Sequence, residues 1–141
     1  MRVNTPFAHT SALEAFALRY TAAWCSQQAA SVAAHFAEQG SLQINAGEPA
    51  IGRPAITASA QAFMTAFPDM IVTMDSLITS GECPVYHWTL TGTNTGPGGT
   101  GQTVRIHGYE EWTMNADGLI AASLGHYDEG EYARQLAVQH N

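Results

Sequence analysis

The spacing of hydrophobic residues changes near residue 70 and divides the chain into a helical half and a β half. Upstream of that point, apolar residues recur every three or four positions, as on a helix that packs through one face. The segment 11–14 (Ser-Ala-Leu-Glu) is a capping box and predicts a first helix, and Gly52-Arg53-Pro54 predicts the start of another. Between them we expect a short helix to about Phe36 and a short strand at 41–45. The apolar faces of the two longer helices comprise Leu13, Phe16, Ala17, Tyr20 and Trp24, and Ile56, Ala60, Phe63, Met64 and Phe67.

Downstream of Met70, apolar and polar residues alternate, as on strands with one buried face. This alternation predicts strands at 70–79, 84–93, 103–114 and 119–128, followed by a short helix over 130–138. Alanine, which favours helices over strands, is frequent up to residue 66 and absent from 67–115. The glycine-rich segment 95–101 joins two strands and precedes no helix, so we interpret it as a hairpin loop and not as a phosphate cradle. The order predicts one α+β domain over residues 1–141, with helices on one face of a curved antiparallel sheet.

The last hairpin carries the most specific prediction. Strand 103–114 places Val104, Ile106, Gly108, Glu110, Trp112 and Met114 on one face, which is apolar apart from Glu110 and should therefore meet the core. The connection 115–118 (Asn-Ala-Asp-Gly) is typical of a type I turn followed by a glycine bulge. That turn would set Trp112 opposite Ala122, Glu110 opposite Leu124 and Gly108 opposite His126. The inward residues of the last strand would then be Ile120, Ala122, Leu124, His126 and Asp128.

This register predicts a cluster of Glu110, His126 and Asp128 at one end of an apolar surface. Two carboxylates beside a histidine can share a proton and supply an acid and a base near neutral pH. A satisfied buried network is the alternative, as is an Asp128 that only caps the final helix. A register without the bulge would instead pair His107 with His126 and Arg105 with Asp128 as an ordinary cross-strand ion pair.

Further candidate residues surround this cluster. Tyr20 lies on the apolar face of the first helix, either as a core residue or as a hydrogen-bond donor to a ligand oxygen. A metal bound by Glu110, His126 and Asp128 would need His87 or His107 as well, and both lie on polar strand faces, so we expect none. In a cone-shaped fold, several large apolar side chains can line a ligand cavity instead of filling the core. The candidates for such a lining are Trp24, Phe63, Trp88, Trp112 and Leu124.

Charge and cysteine content narrow the class of protein. Charged residues make up only 12% of the 141 residues, and the chain contains no lysine, which excludes Schiff-base and P-loop lysine chemistry. The formal net charge of -7 argues against nucleic-acid binding. Cys25 and Cys83 lie far apart, and we expect two buried free thiols, although one disulfide is possible. We find no secretory leader and no apolar run long enough to span a membrane, so we expect a cytoplasmic protein without a membrane partner.

Six short segments, in order and spacing, resemble the SnoaL-like polyketide cyclase group of the nuclear transport factor two-like (ketosteroid isomerase-like) superfamily. These segments are 16–20 (Phe-Ala-Leu-Arg-Tyr), 67–69 (Phe-Pro-Asp), 90–96 (Leu-Thr-Gly-Thr-Asn-Thr-Gly), 117–120 (Asp-Gly-Leu-Ile), 126–128 (His-Tyr-Asp) and 134–136 (Arg-Gln-Leu). The resemblance implies a cystatin-like, ketosteroid isomerase-like cone. In such a cone a curved antiparallel sheet is wrapped by three helices of the N-terminal half around an apolar pocket, and dimers commonly form through the outer sheet face.

The resemblance also implies roles for particular residues. By this resemblance, Asp128 corresponds to the aspartate that acts as the acid and base in the cyclases. Tyr20 corresponds to a tyrosine of the first helix that contacts the ligand in cyclases and ketosteroid isomerases. The isomerases carry a general-base aspartate near Gln43-Ile44-Asn45, where this chain has no acid, so isomerisation by that route is not implied. The epoxide-hydrolase branch carries an arginine and aspartates that have no evident counterparts here.

These observations predict an enzyme of cyclase or isomerase type without an organic cofactor. Asp128, tuned by His126 and Glu110, would move a proton alpha to the carbonyl of a hydrophobic molecule, and Tyr20 would donate to the enolate oxygen. The alternative is a non-catalytic binding or carrier domain for an apolar small ligand. We also expect a homodimer through the outer strip of Arg105, His107, Tyr109 and Glu111.

Overall fold

The computed structural model describes residues 5–137, with side chains from Ala12 onward. Its helices are α1 (Thr5–Cys25), α2 (Ala29–Ala33), α3 (Arg53–Ala66) and α4 (Glu129–Leu136). Its strands are β1 (Phe36–Ile44), β2 (Ala50–Ile51), β3 (Ile71–Ile78), β4 (Val85–Thr93), β5 (Thr103–Met114) and β6 (Ile120–Tyr127). The α+β fold predicted from the sequence is confirmed, with helices of the N-terminal half against a curved, unclosed sheet.

One six-stranded sheet runs in the order β2-β1-β6-β5-β4-β3. Strands β3 to β6 form the predicted antiparallel meander, and β1 joins it by parallel pairing with β6. The hairpin loop at 95–101 is confirmed, because the Asn94 amide donates to the Gln102 carbonyl at its base. This topology brings the last strand, β6, to the middle of the sheet.

Three local predictions near the helices need correction. Helix α1 begins at Thr5, six residues before the expected start at Ser11, whose side chain lies outside the described ones. The short second helix ends at Ala33, and Phe36 instead opens β1, because it pairs with Ile120 of β6 and is fully buried. The two-residue strand β2 was not predicted. Val138, the expected end of the last helix, lies outside the described residues.

The hydrophobic core fills the space between the helices and the inner face of the sheet. The predicted apolar stripe of α1 is buried at Phe16, Ala17, Tyr20 and Trp24, and α3 buries Ile56, Ala60 and Met64. No helix of the described residues is both long and apolar enough to cross a bilayer. Both cysteines are free, but the prediction that both are buried is wrong, because Cys25 is only half-buried and Cys83 is exposed in the loop before β4.

The predicted turn between β5 and β6 is confirmed, but the predicted register beyond it is wrong. The Asn115 amide donates to the Leu119 carbonyl at 2.8 Å, and Gly118 has the left-handed φ of 80° that such a turn requires. A second irregularity lies directly after the turn. Met114 pairs with Ile120 and Thr113 pairs with Ala122, so β6 contains one more residue than β5 at this point. This extra residue in β6 reverses which side chains point inward for the rest of the strand.

Candidate active site

The extra residue in β6 places Gly125 opposite Glu110, and Ser123 opposite Trp112, on the inner face. The inner face of the sheet and the helices enclose a cavity of about 650 Å³, counting the part that opens to solvent. Its wall is rich in aromatic side chains: Trp24, Phe63, Tyr86, Trp88, Tyr127 and Tyr132. Glu110 and Gly125 belong to the same wall. A mostly apolar concavity with few polar groups is the usual form of a small-molecule site.

Glu110 is held by three hydrogen bonds to the same carboxylate oxygen. Its Oε1 accepts from the Tyr20 hydroxyl at 2.9 Å, the Trp112 Nε1 at 2.9 Å and the Ser123 hydroxyl at 2.8 Å. The residue is only 7% exposed. Among the described residues, no side chain or main-chain group donates to Oε2. Since Glu110 borders the cavity, Oε2 is the oxygen available to a bound molecule.

The surroundings of Glu110 favour its protonated form more than water does. Burial raises the pKa of the carboxyl above its usual value, and the hydrogen bonds from Trp112, Ser123 and Tyr20 offset part of that rise. Burial also raises the pKa of Tyr20 well above its usual value, and the charge of Glu110 adds to the effect. Tyr20 therefore stays neutral and continues to donate its proton to Oε1.

Within the described side chains, no arginine borders the cavity, and the chain has no lysine. Arg53 donates to the Phe36 carbonyl, and Arg134 pairs with Glu131 at the surface. The charge of an ionised Glu110 is thus balanced by hydrogen bonds and not by a cation. A buried carboxylate without a cation beside it favours the protonated form more than one that is paired with a cation.

The predicted cluster of Glu110 with His126 and Asp128 does not form. His126 borders the cavity, but its imidazole lies on the outer face, where Nε2 contacts Glu111 Oε1 at 2.9 Å and the ring stacks on Tyr109. Asp128 is exposed and caps α4 by accepting from the Glu131 amide at 3.0 Å. The extra residue in β6 turns His126 outward, and the strand ends before Asp128. The alternative pairing of His107 with His126 is also absent, since the β5 residue that pairs with His126 is Tyr109.

The other candidate residues divide between the cavity wall and its surroundings. Trp24, Phe63 and Trp88 line the cavity. Tyr20 is fully buried behind Glu110, and its hydroxyl is used in the bond to Oε1. Trp112 is a core residue that stacks on Tyr86 and donates to Glu110. Leu124 lies on the outer face, 46% exposed, because the reversed register turns it away from the cavity.

Sequence reasoning missed Ser123, Gly125, Tyr127 and Tyr132. Ser123 and Gly125 occupy the non-apolar positions in the alternation of the last strand, which therefore predicts that they face outward. The only signal in the sequence was the hydroxyl group of Ser123, which could have suggested a hydrogen-bond partner for Glu110. In the structure Ser123 is fully buried. Tyr132 reaches the wall from α4, which stays close to β5 through reciprocal bonds between the Gln135 side chain and the Arg105 main chain.

Two indole groups of the wall lack an acceptor. The Nε1 atoms of Trp24 and Trp88 are buried without a hydrogen-bond partner among the described residues. The Trp24 indole lies near the Tyr20 oxygen, whose pKa it lowers. The Trp88 indole contacts Tyr127 edge to face and packs over Gly108. Buried donors without partners are uncommon, so the Trp88 N–H, which has no such neighbouring oxygen among the described residues, is a candidate to bind a ligand oxygen.

The described residues contain no group of three or more histidine, cysteine, aspartate or glutamate side chains placed to hold a metal ion. His87 and His107 lie on the outer face of the sheet, where His87 packs against Tyr109 and His107 contacts Thr89. Glu110 is the one carboxylic acid among the described residues that line the cavity.

A curved sheet and helices that enclose an apolar cavity define a class of proteins, those with a ketosteroid isomerase-like fold. A hypothetical protein of that fold from Catenulispora acidiphila, in complex with trimethylamine, has 15% identity and a TM-score of 0.76 over 88% of this chain and 93% of that chain. A candidate SnoaL-like polyketide cyclase from Jannaschia sp. CCS1 has 18% identity and a TM-score of 0.78 over 91% and 93%. AclR, a candidate hydroxylase from Streptomyces galilaeus, has 21% identity and a TM-score of 0.75 over 89% and 81%.

The sequence model of the SnoaL-like domain matches residues 17–123, and the chain therefore belongs to the SnoaL-like family. No curated protein matches it in sequence. Identities this low to the solved structures establish a common fold, which hosts many functions, and so the activity has to be argued from the site itself.

Proposed function

We propose that the protein is an enzyme of cyclase or isomerase type in which Glu110 moves a proton at a carbon next to a carbonyl group of a hydrophobic small molecule. The observation that carries this proposal is the unequal use of the two Glu110 oxygens: Oε1 accepts three hydrogen bonds, and Oε2 is left for the cavity. Membership of the SnoaL-like family supports the reaction class.

The three donors on Oε1 decide where the proton resides. Because Oε1 already accepts from Tyr20, Trp112 and Ser123, a proton bound to Glu110 sits on Oε2. The ionised carboxylate takes a proton from the substrate carbon through Oε2 and leaves an enolate. The resulting carboxylic acid then returns a proton to the same or another carbon. Burial raises the pKa of Glu110, which makes its carboxylate a stronger base than an ordinary glutamate and so favours the first half of this cycle.

Tyr20 and Ser123 act in this scheme as positioning residues and not as groups that touch the substrate. Their bonds fix the carboxylate orientation without using Oε2. The enolate oxygen needs a donor of its own, and in this scheme the unpartnered indole N–H of Trp88 supplies it. The roles that the sequence suggested for Asp128 and His126 are left out of the scheme, because the cap and the Glu111 contact hold both side chains elsewhere.

Exchange of the methyl protons of acetophenone with D2O tests the proposal without knowledge of the natural substrate. The exchange needs only removal and return of a proton next to a carbonyl, and proton NMR follows it directly. We expect the protein to accelerate exchange and Glu110→Gln to lower the acceleration by about 10²-fold or more. Glu111→Gln changes the neighbouring glutamate on the outer face and is the matched control. An acceleration that survives Glu110→Gln would contradict the proposal.

A second candidate function is a binding domain for small, hydrophobic ammonium ions. Aromatic walls with a single carboxylate suit such cations, and the similar Catenulispora protein was seen with trimethylamine. Titration calorimetry with trimethylammonium and with tert-butanol, a neutral molecule of similar shape, tests this function. Preference for the cation that is lost in Glu110→Gln, together with no acetophenone exchange, would favour binding over catalysis.

We also infer that the protein forms a homodimer through the outer face of the sheet. The rings of His87, Tyr109 and His126 lie side by side there, and the exposed Leu124 is close to this row on β6. Such a face can pair with a second copy of itself. Light scattering should give twice the chain mass at micromolar concentration, and Leu124→Arg should give a monomer. A cytoplasmic location stays a prediction from the sequence.

A further inference from the structure

We propose that Gly125 is a specificity-determining residue that admits the reacting carbon of the substrate to Glu110. This inference rests on the proposed role of Glu110. It assigns the approach of a substrate to the Glu110 side chain to the missing side chain at position 125, and it predicts which substrates can react there.

Gly125 faces Glu110 across two neighbouring strands. The two residues are paired in the register of β5 and β6, and both belong to the wall of the cavity. Directly opposed residues of an antiparallel pair have neighbouring side chains on the same face of the sheet. Any side chain at position 125 would therefore stand beside the Glu110 side chain, in the wall of the cavity.

The backbone of Gly125 does not itself require glycine. Its φ is not among the left-handed values, unlike that of Gly118. A Cβ at position 125 would meet only the Gln43 carbonyl at 3.4 Å and Glu110 Cγ at 3.7 Å, which are ordinary contact distances. Nothing else lies within 4 Å, so the remaining space around that Cβ belongs to the cavity. The fold can therefore accommodate a side chain at position 125, but that side chain would occupy space in the cavity that a ligand could otherwise use.

Gly108, the other glycine beside Glu110, has a different purpose. A Cβ at position 108 would overlap the indole ring of Trp88 and approach the His126 carbonyl to 2.5 Å. Gly108 is thus needed for packing, because Trp88 already fills the space that its missing side chain leaves. Of the two glycines, Gly125 is the one that leaves its space to a ligand.

The size of this space restricts the substrate. The space that the absent side chain leaves at position 125 borders Glu110 Cγ and the Gln43 carbonyl. A space of this size suits a methyl or methylene group, or the edge of a ring, better than a branched carbon. We therefore expect the reacting carbon to be an unbranched position next to the carbonyl. Acetophenone, whose reacting carbon is a methyl group, should exchange faster than isobutyrophenone, by a larger ratio than in buffer.

The test compares Gly125→Ala and Gly125→Val with Ala122→Val, which enlarges a residue of the same strand on the outer face. We expect Gly125→Val to slow acetophenone exchange by at least about tenfold, Gly125→Ala to slow it less, and Ala122→Val to leave it unchanged. A second readout is the titration of the Glu110 carboxyl carbon by NMR. The pKa should rise in Gly125→Val, because the new side chain excludes water from Oε2, and a purely structural effect would not raise it.

The outcomes separate this inference from the proposed function. If Glu110→Gln abolishes exchange while a folded Gly125→Val keeps the full rate and an unchanged Glu110 pKa, the inference about Gly125 is wrong and the role of Glu110 stands. If Glu110→Gln retains exchange, the proposed catalytic role of Glu110 is wrong, whatever the result for Gly125. Should Gly125→Val not fold, Gly125→Ala decides by the same two measurements.

Discussion

The Tyr20 hydroxyl donates a 2.9 Å hydrogen bond to Glu110 Oε1 and so joins residues 90 positions apart, one on α1 and the other on β5. Both side chains are buried, and the bond continues through Oε1 to Trp112 and Ser123. This contact couples the first helix to the middle of the sheet. It also leaves a single carboxylate oxygen, Oε2, without a donor from the described part of the chain.

Removal of the Tyr20 hydroxyl should raise the pKa of Glu110 further and destabilise the fold. In Tyr20→Phe, Oε1 keeps two donors and loses one that favours the ionised form. We expect the free energy of unfolding to fall by about 1–2 kcal/mol, as for a lost buried hydrogen bond. Urea unfolding and carboxyl-carbon NMR measure the two effects. Tyr109→Phe, at an exposed tyrosine of β5, should change neither, and an unaltered Glu110 pKa in Tyr20→Phe would contradict the prediction.

Stability should depend on pH through Glu110 in a defined direction. Its pKa in the folded protein is raised above the usual 4.5, so the folded state holds the proton more tightly than the unfolded state. The resulting stabilisation is complete below pH 4.5 and is lost as pH rises through the folded pKa, with a slope of at most about 1.4 kcal/mol per pH unit. Glu110→Gln removes this dependence. Urea unfolding of both proteins between pH 4.5 and 8 should therefore show the wild type losing stability relative to the variant, and a constant difference would refute the raised pKa.

An oxygen-bearing ligand should be detected by the Trp88 indole. The chain has three tryptophans and therefore three indole N–H signals, which single phenylalanine substitutions assign. We expect acetophenone to shift the Trp88 signal downfield, because its carbonyl can accept from the unpartnered N–H. α-Methylstyrene has nearly the same shape but no acceptor, and it should shift the signal much less. Equal shifts from the two compounds would exclude a hydrogen bond to the carbonyl.

Asp128 should prove a structural residue. Its side chain caps α4 through the Glu131 amide, so Asp128→Ala should lower the free energy of unfolding by about 1 kcal/mol and speed amide exchange in that helix. Asp128→Ser can keep the cap and is the matched control. Acetophenone exchange should stay at the wild-type rate in both variants. A loss of exchange in Asp128→Ser would return Asp128 to the candidate catalytic residues.

Local patterns determined most of the secondary structure. The alternation over 103–114 corresponds to β5 from end to end, and Gly52-Arg53-Pro54 correctly marks the start of α3. The same alternation identified Glu110 as the one ionisable residue that β5 carries to the inner face. These properties depend on residues near one another in the chain, so composition and hydrophobic periodicity are sufficient to predict them.

The partners of Glu110 were decided only by the tertiary structure. The sequence of β6 favours Leu124 as an inward residue, yet the strand buries Ser123 and Gly125 and exposes Leu124. The reason lies outside the hairpin: the Ile120 amide bonds to the His35 carbonyl, and β6 pairs with β1 across a register shift of its own. That parallel pairing joins segments about 80 residues apart, and it moves β6 by one residue relative to the register that the turn alone would set.

The sequence by itself therefore determined the α+β fold, its family and the buried position of one carboxylate. The tertiary structure decided that this carboxylate meets Tyr20, Trp112, Ser123 and Gly125 instead of His126 and Asp128. One additional residue in a strand exchanges its two faces, because side chains alternate with a period of two. The additional residue in β6 depends on pairing between distant segments of the chain, and the local hydrophobic pattern therefore does not predict it.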